Sequence, residues 1–167
     1  SDFRVKGIEV EGEINLGGLS LITRLDRVDM LNDGRLIIID YKTGESKITT
    51  MCGERPDEPQ LPLYLLASQF DAASAVVFAQ VKTGKMKFKA LARDSDLLPS
   101  VKADPEWEQL IVSWRTDLTR IAESFSKGDA KVSPKKYPET CRNCDLEPFC
   151  RISERTEDAY AESEDGA

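Results

Sequence analysis

The sequence contains no histidine. That absence removes Ser-His and Cys-His nucleophile pairs, and every histidine-ligated metal site, from the chain's own chemistry. Long apolar runs are missing too, since none approaches the roughly 20 residues of a membrane-spanning helix. The chain starts Ser-Asp-Phe-Arg, with neither an initiator Met nor an apolar signal region. It is therefore expected to be an excised piece of a longer, cytoplasmic parent with no membrane partner. Positive charge is short as well: 23 Lys and Arg stand against 30 Asp and Glu, a net of −7. That balance is the reverse of what a polyanion-binding protein usually carries. The deficit is concentrated, however. From Glu154 onward there are six acidic residues and one Arg, a net of −5, which leaves −2 for the rest. Residues 154–167 read as a solvated, disordered tail, and residues 1–153 as the folded domain.

What is present suits one domain with a real core: 167 residues, 40% apolar and 32% charged. Phe3 to Ile14 alternates β-branched with polar residues, a strand pattern. Gly17-Gly18 turns the chain, Leu19 to Leu31 gives a second strand, and Asn32-Asp33-Gly34 is a hairpin turn. Leu36-Ile37-Ile38-Ile39 is a short continuous apolar run, as expected of a central strand buried on both faces. Thr43 to Asp57 is polar and reads as a loop. A helix is expected from Pro59 running on towards Phe70, its prolines tolerated in the first turn. Ala75 to Val81 is a further strand, paired with Met86 to Leu91 across Thr83-Gly84. Asp104-Pro105-Glu106 is a helix start with Asp104 as N-cap. Trp107, Leu110, Ile111, Trp114, Leu118, Ile121 and Phe125 follow at helical spacing up to Gly128. The two Trp are expected in the core. The order β-β-β-α-β-β-α, followed by a Cys-rich segment, predicts an α/β sandwich with a mixed sheet.

Three short stretches carry the chemistry: Leu25-Asp26-Arg27-Val28-Asp29, Ile39-Asp40-Tyr41-Lys42-Thr43-Gly44 and Gln60-Leu-Pro-Leu-Tyr64. Asp40 and Lys42 are two apart on a strand and so face one side. They sit where the buried run ends, and charges there are costly unless paired or coordinating. The hairpin can bring Asp26 beside Asp40. Two clustered carboxylates repel unless a cation lies between them, and hard oxygen ligands suit Mg²⁺ or Mn²⁺. Such an ion polarises a phosphodiester and acidifies its bound water. A neighbouring Lys can orient that water or offset the developing negative charge. Gln60 and Tyr64, four apart, present one helical edge. Asp29 is expected to be structural, capping the hairpin or pairing with an Arg.

These motifs together resemble those of the PD-(D/E)XK superfamily, in particular the RecB/AddB-type exonuclease domains and CRISPR-associated RecB-like exonucleases. The resemblance implies a restriction-endonuclease-like three-layer core, with a central mixed sheet flanked by helices. It makes Asp26 and Asp40 the metal-binding acids, with Tyr41 joining them at the metal. Lys42 becomes the catalytic Lys, and Gln60 and Tyr64 the trailing Gln/Tyr motif. Metal-dependent hydrolysis of DNA in repair and recombination follows, with a helicase or helicase-like subunit or domain as partner in the parent. Two departures stand out. The family usually has Gly three residues before the first Asp, where this chain has Thr23. The family also commonly takes a ligand, often His, from a helix upstream of the first strand.

Cys141-Arg-Asn-Cys144-Asp-Leu-Glu-Pro-Phe-Cys150 has C-x2-C-x5-C spacing, which points to a metal or cluster rather than disulfides. AddB-like nucleases have this arrangement with a fourth Cys far upstream, together holding a structural [4Fe–4S] cluster. The resemblance thus makes Cys141, Cys144 and Cys150 cluster ligands. The fourth is expected outside this chain in preference to Cys52. Two other readings stay open: a catalytically silent DNA-binding or scaffold domain of a helicase–nuclease complex, and a zinc-binding interaction module built on the Cys segment.

Overall fold

The computed structural model describes residues 2–67, 70, 72–99 and 101–154. The expected acidic tail, apart from Glu154, lies outside the described residues. The chain divides after Gly128 into two compact units.

In the first unit, β1 (Phe3–Leu16), β2 (Leu19–Leu31) and β3 (Leu36–Lys42) form an antiparallel meander. Helix α1 (Gln60–Leu66) then crosses over, so that β4 (Ala73–Lys82) returns parallel to β3. The hairpin closes with β5 (Lys85–Ala92), antiparallel to β4, and α2 (Trp107–Ser126) follows. The result is one mixed five-stranded sheet in the order β1-β2-β3-β4-β5. The expected α/β class and element order are both present.

The sheet has two unlike faces. Leu36, Ile38, Val76 and Phe78 pack on one side against Leu61, Tyr64 and Leu65 of α1 and Trp107, Trp114 and Leu118 of α2. Both Trp are buried in this core, and the Trp114 indole N–H donates to Met51 O at 2.7 Å. The other face carries Ile37, Ile39, Ala75, Val77 and Ala79, covered by Leu97, Leu98 and Val101 from the segment after β5. A cavity of about 920 Å³ remains on that face, lined by Phe3, Arg27, Ile37, Ile39, Tyr41 and Phe88 among others. Among the described residues, α1 and α2 share the first face.

Two expected helix boundaries shift. Helix α1 ends at Leu66, short of Phe70. Ala67 turns extended (ψ 129°), closes its N–H on Tyr64 O, and in turn accepts from Phe70 N at 2.9 Å. Regular α2 geometry begins at Trp107 with Glu106 at the N-cap position, two residues later than the Asp104 cap and Pro105 start expected. Asp104 still acts at this end, since its Oδ1 accepts the Glu106 N–H at 2.9 Å. Its far end is as expected, with Gly128 at φ +76° donating to Phe125 O. The apolar stripe runs out sooner: the buried face is Trp107, Trp114, Leu118 and Ala122, while Phe125 is 74% exposed. The expected loop after β3 also contains a 3₁₀ turn, Ile48–Met51, which places Met51 in the core.

The β1–β2 turn is locked onto α2. Gly17 has φ +53°, and a Cβ there would lie 2.5 Å from Glu123 N and 2.8 Å from Thr119 O. Ser126 Oγ completes the contact by donating to Gly17 O at 2.9 Å. Only glycine allows this approach of turn and helix backbone.

The second unit contains a short 3₁₀ turn, Glu139–Cys141, and helix α3 (Glu147–Cys150). Its Cys141, Cys144 and Cys150 line one cavity of about 440 Å³ with Leu146 and Phe149.

Candidate active site

Asp40 and Lys42 continue the alternation of Leu36 and Ile38 and so stand on the helix-covered face. Asp40 is only 2% exposed. Lys42 Nζ lies 2.9 Å from Asp40 Oδ2, an ion pair. The alignment is not that of a hydrogen bond, so this buried oxygen lacks a directed donor. Lys42 Nζ instead donates to Gln60 Oε1 at 3.2 Å. Its stem lies beside Phe78, with the ammonium 5.5 Å from the ring centroid.

A break in β2 aims Asp26 at this pair. Core-facing positions on β2 run Leu19, Leu21 and Leu25, then change parity to Val28 and Met30. The change falls at Asp26-Arg27, and Glu9, between the paired residues on β1, has φ +53°. The β2–β3 ladder stops at Arg27 and Ile39. Beyond it, the Tyr41 N–H donates to the carboxylate of Asp26, at 2.8 Å from Oδ2. A side chain thus takes over from a backbone carbonyl, and the strands part at the site. Irregularities of this kind re-aim side chains in many active sites.

Helix α1 supplies the remaining wall. Gln60 Nε2 donates to the Tyr64 hydroxyl, which donates to Arg24 O at the edge of β2. Lys42, Gln60, Tyr64 and the β2 backbone therefore form one hydrogen-bonded line across the cluster. Burial pushes the Tyr64 hydroxyl pKa upward, and the charges of Asp40 and Asp26 add to the shift. Burial also raises Asp40 above the ordinary 3.8; Lys42 opposes this, while Asp26 and Glu58 reinforce it.

Glu58 was not among the residues the sequence singled out. It stands two positions before Gln60, its N–H bonded to Thr50 O at 3.0 Å and its carboxylate held by Thr50 Oγ1 at 2.7 Å. No motif spacing marks it; only the folded loop brings its charge to bear on Asp40.

Tyr41 has a divided position. Its N–H faces Asp26, but its side chain points to the opposite sheet face, where its hydroxyl accepts from Arg27 Nη1 at 3.2 Å. Any part it takes in holding a metal falls to its main chain. Asp29 pairs with Arg27 through two bonds of 2.7 and 2.9 Å, which is the expected Arg pairing. Arg27 also lies over the Phe3 ring. Thr23, in the place of the family's usual Gly, is buried and donates to Gly12 O at 3.1 Å across the β1–β2 ladder.

Among the described residues, no three His, Cys, Asp or Glu side chains form a ready-made metal-binding group. The donor chemistry nevertheless fits a hard cation. Two carboxylates converge, and the buried Asp40 oxygen lacks a directed donor. In the second unit Cys141, Cys144 and Cys150 line one cavity, but among the described residues they do not converge as a metal-holding group. Cys52 is half-buried, its thiol 3.8 Å from Ile48 O and raised in pKa by burial.

No curated protein matches the chain. Among solved structures, the crystal structure of SSO0001 is similar at 17% identity, with a TM-score of 0.45. The match covers 86% of this chain and 58% of that one, so the chain spans little more than half its length. No helix of the described residues is long and apolar enough to cross a membrane. The family model described as the PD-(D/E)XK nuclease superfamily matches residues 1–151, and the chain therefore belongs to the PD-(D/E)XK nuclease superfamily.

Proposed function

We propose that the chain is a Mg²⁺- or Mn²⁺-dependent deoxyribonuclease core of the RecB/AddB exonuclease type, acting in DNA repair and recombination in the cytoplasm. A helicase or helicase-like subunit or domain of the parent would deliver the DNA. The carrying observation is that Asp40, Lys42, Gln60 and Tyr64 form one bonded chain from a strand and a helix, with the Asp26 carboxylate held beside it on the Tyr41 N–H and its charge acting on Asp40. A silent scaffold would have little use for a buried carboxylate balanced by one partly exposed ammonium, an arrangement that adds little to stability.

Asp26 and Asp40 would hold the cation, with the Tyr41 main chain beside them. A cation held there would supply Lewis acidity to the phosphodiester and would acidify its bound water. Lys42 presents its ammonium where negative charge develops, held there by Gln60 Oε1. Tyr64 fixes the amide of Gln60, so that its oxygen, not its nitrogen, faces Lys42. The Tyr41 N–H holds one oxygen of Asp26 and thereby orients the other. Degradation of linear DNA in Mn²⁺ tests this reading. Asp40→Ala and Lys42→Ala should each lower it by about 100-fold or more, and unaltered degradation in both variants refutes the enzyme.

The same reading makes Cys141, Cys144 and Cys150 ligands of a structural [4Fe–4S] cluster in the parent, with a fourth thiolate from outside this chain. Iron and sulfide in near-stoichiometric amounts in anaerobically purified parent would support it. Zinc without iron would instead favour a zinc module.

A further inference from the structure

The β4–β5 hairpin gathers positive charge in an otherwise acidic chain. From Ala73 to Arg93 the sequence holds Lys82, Lys85, Lys87, Lys89 and Arg93, with no Asp or Glu. Strand register carries that charge to the candidate site. Asp40 pairs with Phe78 and Phe78 with Lys89, while Lys42 pairs with Gln80 and Gln80 with Lys87. Cross-strand partners share a face, so Lys87 and Lys89 stand on the side of Asp40 and Lys42. Lys87 is two strands from Lys42, about 10 Å at ordinary strand spacing. Strand β3 ends at Lys42, opposite Gln80, whereas β4 runs on to Lys82. The hairpin therefore overhangs the site by two residues, about 7 Å.

Its members divide into two jobs. Gln80 Nε2 donates to Gly44 O at 3.2 Å, and the Lys89 ammonium donates to Ser46 O, so both hold the loop that leaves the site. Lys82 and Lys87 are exposed, and no hydrogen bond or ion pair engages either among the described residues.

We propose that Lys82 and Lys87 form a phosphate lane guiding the backbone of a DNA strand past Asp40 and Lys42, a step that rests on the nuclease reading above. From Ala73 to Arg93 the chain carries five positive charges and no acid, so this hairpin is where the backbone of a polyanion meets attraction rather than repulsion. The rival explanation is edge protection, because β5 is an edge strand and lysines on edges block sheet-to-sheet association.

Sign reversal separates the two. Lys82→Glu/Lys87→Glu keeps the edge charged but repels phosphate. Binding of a fluorescent single-stranded DNA oligonucleotide would be followed by anisotropy in EDTA over a range of salt concentrations, alongside Lys82→Gln/Lys87→Gln. Each released contact accounts for about 0.7 in the slope of log K against log salt, so both double variants should lower the slope by about 1.4 and weaken binding at low salt. Lys87→Gln alone should lower it by about 0.7 and serves if the double variants fail to fold. A slope equal to that of the unaltered protein, or no oligonucleotide binding by that protein, overturns the lane. If cleavage still depends on Asp40 in that case, the nuclease reading stands without it. A lowered slope with cleavage indifferent to Asp40 keeps the lane and removes the nuclease reading. Aggregation of the Gln variant with the slope unaltered assigns the lysines to edge protection.

Discussion

Asp40→Asn should make the metal-free protein more stable at pH 7. The substitution keeps the side-chain volume and removes a charge that is 2% exposed. A buried charged acceptor without a directed donor costs about 1–3 kcal/mol. Against that stands the lost pair with Lys42. Its side chain is 27% exposed and keeps Gln60 Oε1, so that loss is about 1 kcal/mol or less. The net gain is up to about 3 kcal/mol, which for a chain of this size raises Tm by up to about 12 °C. The gain should depend on pH. Burial, with Asp26 and Glu58, holds Asp40 above its ordinary 3.8 in the fold. The folded protein therefore binds this proton more tightly than the unfolded chain does. Below about pH 3.8 both states are protonated and Asp40 carries no penalty. The penalty grows as pH rises through the folded pKa and is complete above it, so the advantage of Asn opens over that window. Added Mg²⁺ or Mn²⁺ should reverse the ranking. At a hundred times Kd it stabilises the unaltered protein by about 2.7 kcal/mol and should leave the Asn variant nearly unmoved. Thermal unfolding by circular dichroism, with and without cation, reads both effects. Destabilisation by Asn without metal, or equal stabilisation of both proteins by metal, would refute the reasoning.

Tyr64→Phe breaks the line from Gln60 to Arg24 O and frees the Gln60 amide. It should lower DNA cleavage by about 10–100-fold, less than the loss of about 10²–10³-fold expected for Lys42→Ala; steady-state kinetics on linear DNA compares them. Gly17→Ala forces a Cβ into the α2 backbone at a positive φ. A loss of about 2–4 kcal/mol in urea unfolding is expected. Trp114→Phe strands Met51 O without its indole donor and should cost about 1–3 kcal/mol by the same measurement.

Strand and helix positions were legible because burial imposes a period on residue types. Leu36 to Ile39 announces a strand covered on both faces, and that strand is buried through Asp40. The same parity rule puts Asp40 and Lys42 on one side. What escaped the sequence is written in backbone rather than in residue type. The parity change at Asp26-Arg27 leaves no compositional mark, yet it decides that Asp26 meets Tyr41 N–H. The acceptor of the Tyr64 hydroxyl is a main-chain carbonyl of Arg24, which any residue could provide. Glu58 reaches Asp40 only through the fold of its loop. Phe125 kept helical spacing after the buried face of α2 had ended, so periodicity alone overestimated the buried length.

The site also has an order of assembly built into its connections. Asp26 and Asp40 belong to a meander whose turns are short, so they meet through local contacts. Gln60 and Tyr64 settle only when the crossover from β3 to β4 closes, a more distant pairing. Local pairings form early and non-local ones late. The two carboxylates would thus be brought together before Gln60 and Tyr64 arrive, with their repulsion bearing on the folding barrier. Refolding in Mg²⁺ should then be faster for the natural sequence and unchanged for Asp40→Asn, a kinetic trace of the active site in a reaction that involves no substrate.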